Sequence, residues 1–116
     1  MSKDYNRLRL EEAARLAARD RDGRSYFVGA VGLRRDGARV AARNGHARFP
    51  EPAAHAEARL CQKLDVGATV WVARMTSGGR WALAKPCPHC EVTLRRRGVA
   101  RVVYTTGPDS YEVVSL

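Results

Sequence analysis

Val99-Ala100-Arg101-Val102-Val103-Tyr104-Thr105-Thr106-Gly107-Pro108-Asp109-Ser110-Tyr111-Glu112-Val113-Val114 reads as two strands joined by one tight turn. Val99 to Thr105 is rich in β-branched and aromatic residues, and Tyr111 to Val114 repeats that composition. Gly107-Pro108-Asp109 supplies the turn between them. So short a link cannot hold a crossover helix, so the two strands must form an antiparallel hairpin. Upstream of this hairpin the pattern changes. Pro86 to about Arg97 carries a helical period that Gly98 stops, and Thr69 to Met75 is a strand. A glycine-bearing loop, Thr76 to Ala84, separates them. Ala53 to Leu64 reads as a helix, entered through a polar, proline-bearing loop from Asn44 to Pro52. Earlier still, Tyr26 to Leu33 and Arg39 to Arg43 form two strands around the Arg35-Asp36-Gly37 turn, after a helix within residues 4–20. The order is αββαβαββ. Strands linked through helices, together with a closing hairpin, predict an α/β fold: a three-layer α/β/α sandwich on a mixed five-stranded sheet.

Size and composition bound the rest. At 116 residues the chain fits one domain spanning 1–116, long enough to bury a core. Hydrophobic content of 45% with 28% charged residues is ordinary for a globular domain. No apolar run approaches the length of a membrane span and no signal-like segment follows Met1, so the expected location is cytoplasmic, with no membrane partner. The cysteines are Cys61, Cys87 and Cys90. An odd number, with two spaced C-x-x-C, suits metal binding in a reducing compartment better than a disulfide framework. The net charge is +9, and only Lys3, Lys63 and Lys85 among the 21 basic residues are not arginine. Arginine suits phosphate and base stacking. Codon usage in a GC-rich genome gives the same surplus.

The chemistry is concentrated in His55-Ala56-Glu57 and Pro86-Cys87-Pro88-His89-Cys90. One imidazole and two thiolates make a three-ligand zinc site with an open fourth position, the mark of a catalytic zinc. Both ligand segments fall at helix starts, where free N–H groups and partial positive charge favour thiolate ligands. Glu57, two residues past the histidine, is placed to move protons instead of binding metal. H-x-E followed by P-C-x-x-C is the zinc deaminase signature. The chain therefore resembles the cytidine deaminase-like superfamily, over roughly residues 25–115. Its hairpin ending resembles the cytidine deaminase branch, because the branch of tRNA adenosine and deoxycytidylate deaminases has a helix between those last two strands.

That resemblance implies a zinc-dependent hydrolase of nucleotide metabolism that converts cytosine to uracil in a free nucleoside or nucleotide. His55, Cys87 and Cys90 would hold Zn2+, and Glu57 would be the catalytic acid and base. Tyr26-Phe27-Val28-Gly29-Ala30 is similar to the family segment whose aromatic lies against the pyrimidine, a position Tyr26 occupies. Asn44 matches the family's sugar-binding asparagine. His46 stands where the family carries a ribose-gripping glutamate, and Ala42 where it carries glycine. Losing that acceptor leaves room for a different sugar or a linked phosphate. The Ala56 backbone and Pro86 complete the expected substrate contacts. Small members of the branch assemble as dimers or tetramers, so a homo-oligomer is implied.

Three other readings remain open at this point. Arg43, Arg95, Arg96 and Arg97 are candidate phosphate or nucleic-acid contacts for a cytosine deaminase acting on single-stranded DNA or RNA. The same arginines at a helix C-terminus equally suit the helix dipole and a solvated face. Cys87-Pro88-His89-Cys90 alone also matches the dithiol of thioredoxin-fold disulfide oxidants, although that leaves His55 and Glu57 without a role. A closed structural zinc would need Cys61, which lies over a turn and a half beyond His55 and reads better as a small buried apolar residue. His89 is expected to face solvent or the pocket mouth, and Trp71 the core.

Overall fold

The computed structural model describes residues 3–17, 27–43, 56–76 and 78–116. Its elements run α1 (Lys3–Ala17), β1 (Phe27–Leu33), β2 (Arg39–Arg43), α2 (Ala56–Cys61), β3 (Thr69–Met75), β4 (Trp81–Ala82), α3 (Pro88–Arg97), β5 (Arg101–Gly107) and β6 (Ser110–Ser115). Among the described residues the sheet has six strands, in the order β2-β1-β3-β5-β6, with β4 paired to the end of β3. The sheet is mixed: β3 and β5 run parallel, and the other pairs are antiparallel. The expected three-layer sandwich is present. The added strand is β4, a two-residue pairing of Trp81 with Met75 and Ala82 with Arg74 inside the expected loop.

Alternation along the strands builds both layers. From β3, Val70 and Val72 join Leu60, Leu64 and Leu94 of the α2/α3 side, while Trp71 and Ala73 join Leu10, Ala13 and Ala14 of α1. This is the two-residue period of a sheet covered on both faces. The apolar face of α1 is mostly alanine, so the helix lies close to β1. A Cβ on Gly29 would run into the Ala13 carbonyl and come within 2.9 Å of the Ala17 nitrogen. On the other face, a Cβ on Gly32 would meet Leu64 at 2.7 Å. Two glycines on opposite faces of one strand thus set the spacing of all three layers.

One buried polar link crosses the α1 interface. The Trp71 indole N–H donates to Asn6 Oδ1 at 2.9 Å, so the buried ring keeps no unpaired donor. The closing hairpin is as expected: Val103 pairs with Val113 and Gly107 with Ser110. Asp109 takes a positive φ of 58°, a conformation that aspartate tolerates in tight turns.

Candidate functional site

The topology brings two helix starts to one end of the sheet. α2 leads into β3 and α3 into β5, and these are parallel neighbours with Thr69 opposite Arg101. The outgoing ends of the helices are tied together. Arg97 Nε donates to the Leu64 carbonyl at 2.9 Å, and the Gly67 N–H to the Gly98 carbonyl at 2.8 Å. α2 and α3 also pack against each other. Their N-termini therefore both lie at the opposite end, where β3 and β5 finish. Ligand segments some thirty residues apart in sequence are brought together by this arrangement alone.

Each start is built locally. Glu57 sits in the first turn of α2 and is 6% exposed, while Ala56 beside it is fully buried. A carboxylate so placed gains from the partial positive charge of the helix start. In α3, Cys87 is the N-cap, with extended backbone (φ −66°, ψ 163°). The cause is Pro88, which excludes the helical region for the residue before it and itself suits the first helical position. The helix therefore begins at Pro88, two residues later than Pro86, where the sequence pattern placed it. Cys90 follows three residues on, fully buried, and its N–H donates to Cys87 Sγ at 3.5 Å. The Glu91 N–H completes the cap on the Cys87 carbonyl at 2.9 Å. At the far end Gly98, in the left-handed conformation, closes the helix.

Neither cysteine is in a disulfide. Their arrangement suits zinc, since N-cap and third-position side chains of one helix project past the same end, and the Cys90 amide orients the neighbouring sulfur. The third expected ligand, His55, lies outside the described residues, as do Tyr26, Asn44, His46 and Phe49. Among the described residues, no three His, Cys, Asp or Glu side chains converge on a metal position.

The remaining candidates separate clearly. Pro86 is half-buried and lines a cavity with Leu94, Val102 and Tyr104 on the β5 side of α3. His89 is exposed, with its carbonyl accepting from Thr93. Cys61 is buried in the α2 core, and desolvation pushes its thiol above the ordinary 9.0, an inert apolar role. Arg95 pairs with Glu91 at 3.0 Å, and Arg97 reaches the Leu64 carbonyl. With Arg96 they occupy the last turn of a ten-residue helix, about 8–15 Å along it from its cysteines. Arg43 ends β2 on the other flank, and its carbonyl accepts from Arg59.

Sequence reasoning missed Thr105. This fully buried hydroxyl donates to the Ala82 carbonyl at 2.6 Å and accepts from the Arg74 N–H at 3.2 Å. It fastens β4, and with it the segment entering Pro86 and Cys87, to β3 and β5. Its only sequence signal was a polar residue at an apolar strand position.

A three-layer sandwich with a buried glutamate and a C-x-x-C pair at two adjoining helix starts defines a zinc deaminase architecture. Over residues 4–106 the chain matches the family described as the cytidine and deoxycytidylate deaminase zinc-binding region, and it belongs to that family. Zn2+ is the family's metal. Solved structures show the same fold. The dCMP deaminase of cyanophage S-TIM5, in apo form, superimposes with a TM-score of 0.63 at 17% identity, covering 91% of this chain and 86% of that one. The cytidine deaminase of Mycobacterium leprae gives 0.59 at 19%, covering 92% and 91%. The Mycobacterium tuberculosis cytidine deaminase gives 0.56 at 20%, covering 92% and 90%. Among curated proteins, none matches the chain.

Proposed function

We propose that the chain is a zinc-dependent hydrolytic deaminase that converts cytosine to uracil in a free cytidine or deoxycytidine nucleoside or nucleotide, releasing ammonia. The observation carrying this reading is the joint placement of buried Glu57 and the Cys87/Cys90 pair at two helix starts that share one end of the sheet. His55, Cys87 and Cys90 would hold the metal. Zinc, when bound, supplies Lewis acidity that brings the pKa of water toward ~7. Glu57 takes a proton from the attacking water and delivers it to ring N3, then takes the remaining proton of the new C4 hydroxyl and passes it to the departing amine. Water oxygen replaces the C4 amino nitrogen, so no redox partner is needed. One carboxylate serves all the transfers because its protonation state alternates through the cycle. Tyr26 lies against the base, the Ala56 backbone and Pro86 border it, and Asn44 and His46 meet the sugar. The protein works in the cytoplasm as a homo-oligomer, dimer or tetramer, and 1–116 acts as one domain.

Cytosine within single-stranded DNA or RNA is the second reading, favoured by the +9 charge. A panel of cytidine, deoxycytidine, dCMP and a cytosine oligonucleotide, followed by ammonia release, separates the two. Glu57→Gln is expected to lose about 10²–10⁴-fold in kcat while keeping its zinc. Full activity in that variant removes the mechanism, and turnover of the oligonucleotide alone removes the first reading.

A further inference from the structure

Beside the β2 edge of the sheet, Arg59 and Lys63 carry positive charge that no carboxylate among the described residues offsets. Lys63 Nζ donates to the Ala41 carbonyl at 2.7 Å, and Arg59 Nη1 to the Arg43 carbonyl at 3.0 Å. Both are exposed, and these are their only side-chain hydrogen bonds among the described residues. Neighbouring cations are neutralised. Arg39 meets Glu12 at 3.6 Å, and Arg34 meets Asp36 at 3.0 Å. Arg59, Lys63, Arg43 and Gln62 line one cleft with Leu16 of α1, and among the described residues no acidic side chain shares that lining.

The carbonyl bonds use one of five guanidinium N–H donors and one of three ammonium donors. They also hold two long side chains in place, which lowers the entropy cost of presenting the remaining donors to a ligand. Arg59 stands two residues after Glu57, so α2 turns Glu57 into the core and Arg59 outward to this edge.

We propose that this cleft binds phosphate, with Arg59 and Lys63 as its principal donors. The assignment rests on the deaminase reading only for the ligand's origin, namely the phosphate of a nucleotide or of a single strand presented to the site. Binding is therefore read without turnover, on the intact chain. A fluorescein-labelled deoxycytidine 12-mer is titrated by anisotropy across a salt series, and dCMP and inorganic phosphate are titrated by calorimetry. The Arg59→Gln/Lys63→Gln double variant should weaken whichever ligand the parent binds by about tenfold or more. If that ligand is the strand, the salt slope should become shallower by about 1.4, from ~0.7 per lost contact. The charge-preserving Arg59→Lys/Lys63→Arg variant should retain binding, which separates charge from closure of the strand edge. Arg80→Gln, at an exposed position just before β4, should change nothing. Sensitivity confined to the 12-mer assigns a strand, and sensitivity to dCMP or phosphate assigns a mononucleotide. The proposal fails if the parent binds none of the three ligands, if the Gln variant binds as the parent does, or if Arg80→Gln reproduces the loss. A chain that binds phosphate without deaminating any cytidine substrate overturns the deaminase reading and leaves this one standing.

Discussion

Thr105→Val tests whether the approach to the cysteine pair is held by hydrogen bonds or by packing. The Thr105 hydroxyl joins the Ala82 carbonyl and the Arg74 N–H, and its own carbonyl accepts from the Ala84 N–H at 2.8 Å. Valine keeps the volume and removes both side-chain bonds. A buried polar group left unpaired costs about 1–3 kcal/mol, and a typical net bond contributes about 0.5–1.5. Ala82 is only partly buried, so its carbonyl takes the lower figure and the total comes to about 1.5–4.5 kcal/mol. Thr105→Ser keeps both bonds and deletes one methyl at a cost of about 1 kcal/mol. Valine should therefore be the worse substitution, the reverse of what side-chain volume alone gives. Urea unfolding with unchanged m-values measures the order. Zinc content after gel filtration should fall in Thr105→Val and hold in Thr105→Ser. If Thr105→Val is the more stable variant, the hydroxyl is not what fastens this segment.

Gly29→Ala should destabilise by more than about 2 kcal/mol, because its Cβ meets helix backbone instead of a movable side chain, whereas Gly37→Ala has open space and is limited to the strain of its φ of 93°. Chemical denaturation of both variants makes the comparison. The Cys61 thiol is raised by desolvation from 9.0, so the protonated form belongs to the fold: its stabilisation is complete below pH 9 and declines as pH rises through the folded value. Thermal melts from pH 8 to 10.5 should show that decline in the parent and a flatter profile in Cys61→Ala, and identical profiles refute the linkage.

Legibility tracked sequence distance. The closing hairpin and the C-x-x-C cap were readable because a short turn and a three-residue spacing contain their own geometry. The start of α3 was misplaced because Pro86 and Pro88 both suit a helix entrance, and only the extended Cys87 that Pro88 enforces decides between them. β4 left no trace, since Trp81-Ala82 becomes a strand only where Arg74, Met75 and Thr105 already stand. The close approach at Gly29 was hidden for the same reason: the partner atoms belong to α1, at least twelve residues away.

α2 shows how far one segment can serve opposed demands. Ala56, Glu57, Leu60 and Cys61 of α2, with Leu64 in the turn region after it, face inward, and Arg59 of α2 and Lys63 just past its end, four residues apart, lie on the outward side. The inward stripe must be tight, because Gly32 and Leu64 leave no slack between helix and β1. The outward stripe must reach the edge carbonyls of β2 at Ala41 and Arg43. These two requirements fix the rotation of α2 about its axis from both sides. Glu57, at the first turn of a helix gripped in this way, has its direction set by packing several residues downstream. Its aim therefore depends on Leu60 and Lys63 as much as on its own neighbours, a dependence that the short H-x-E motif does not reveal.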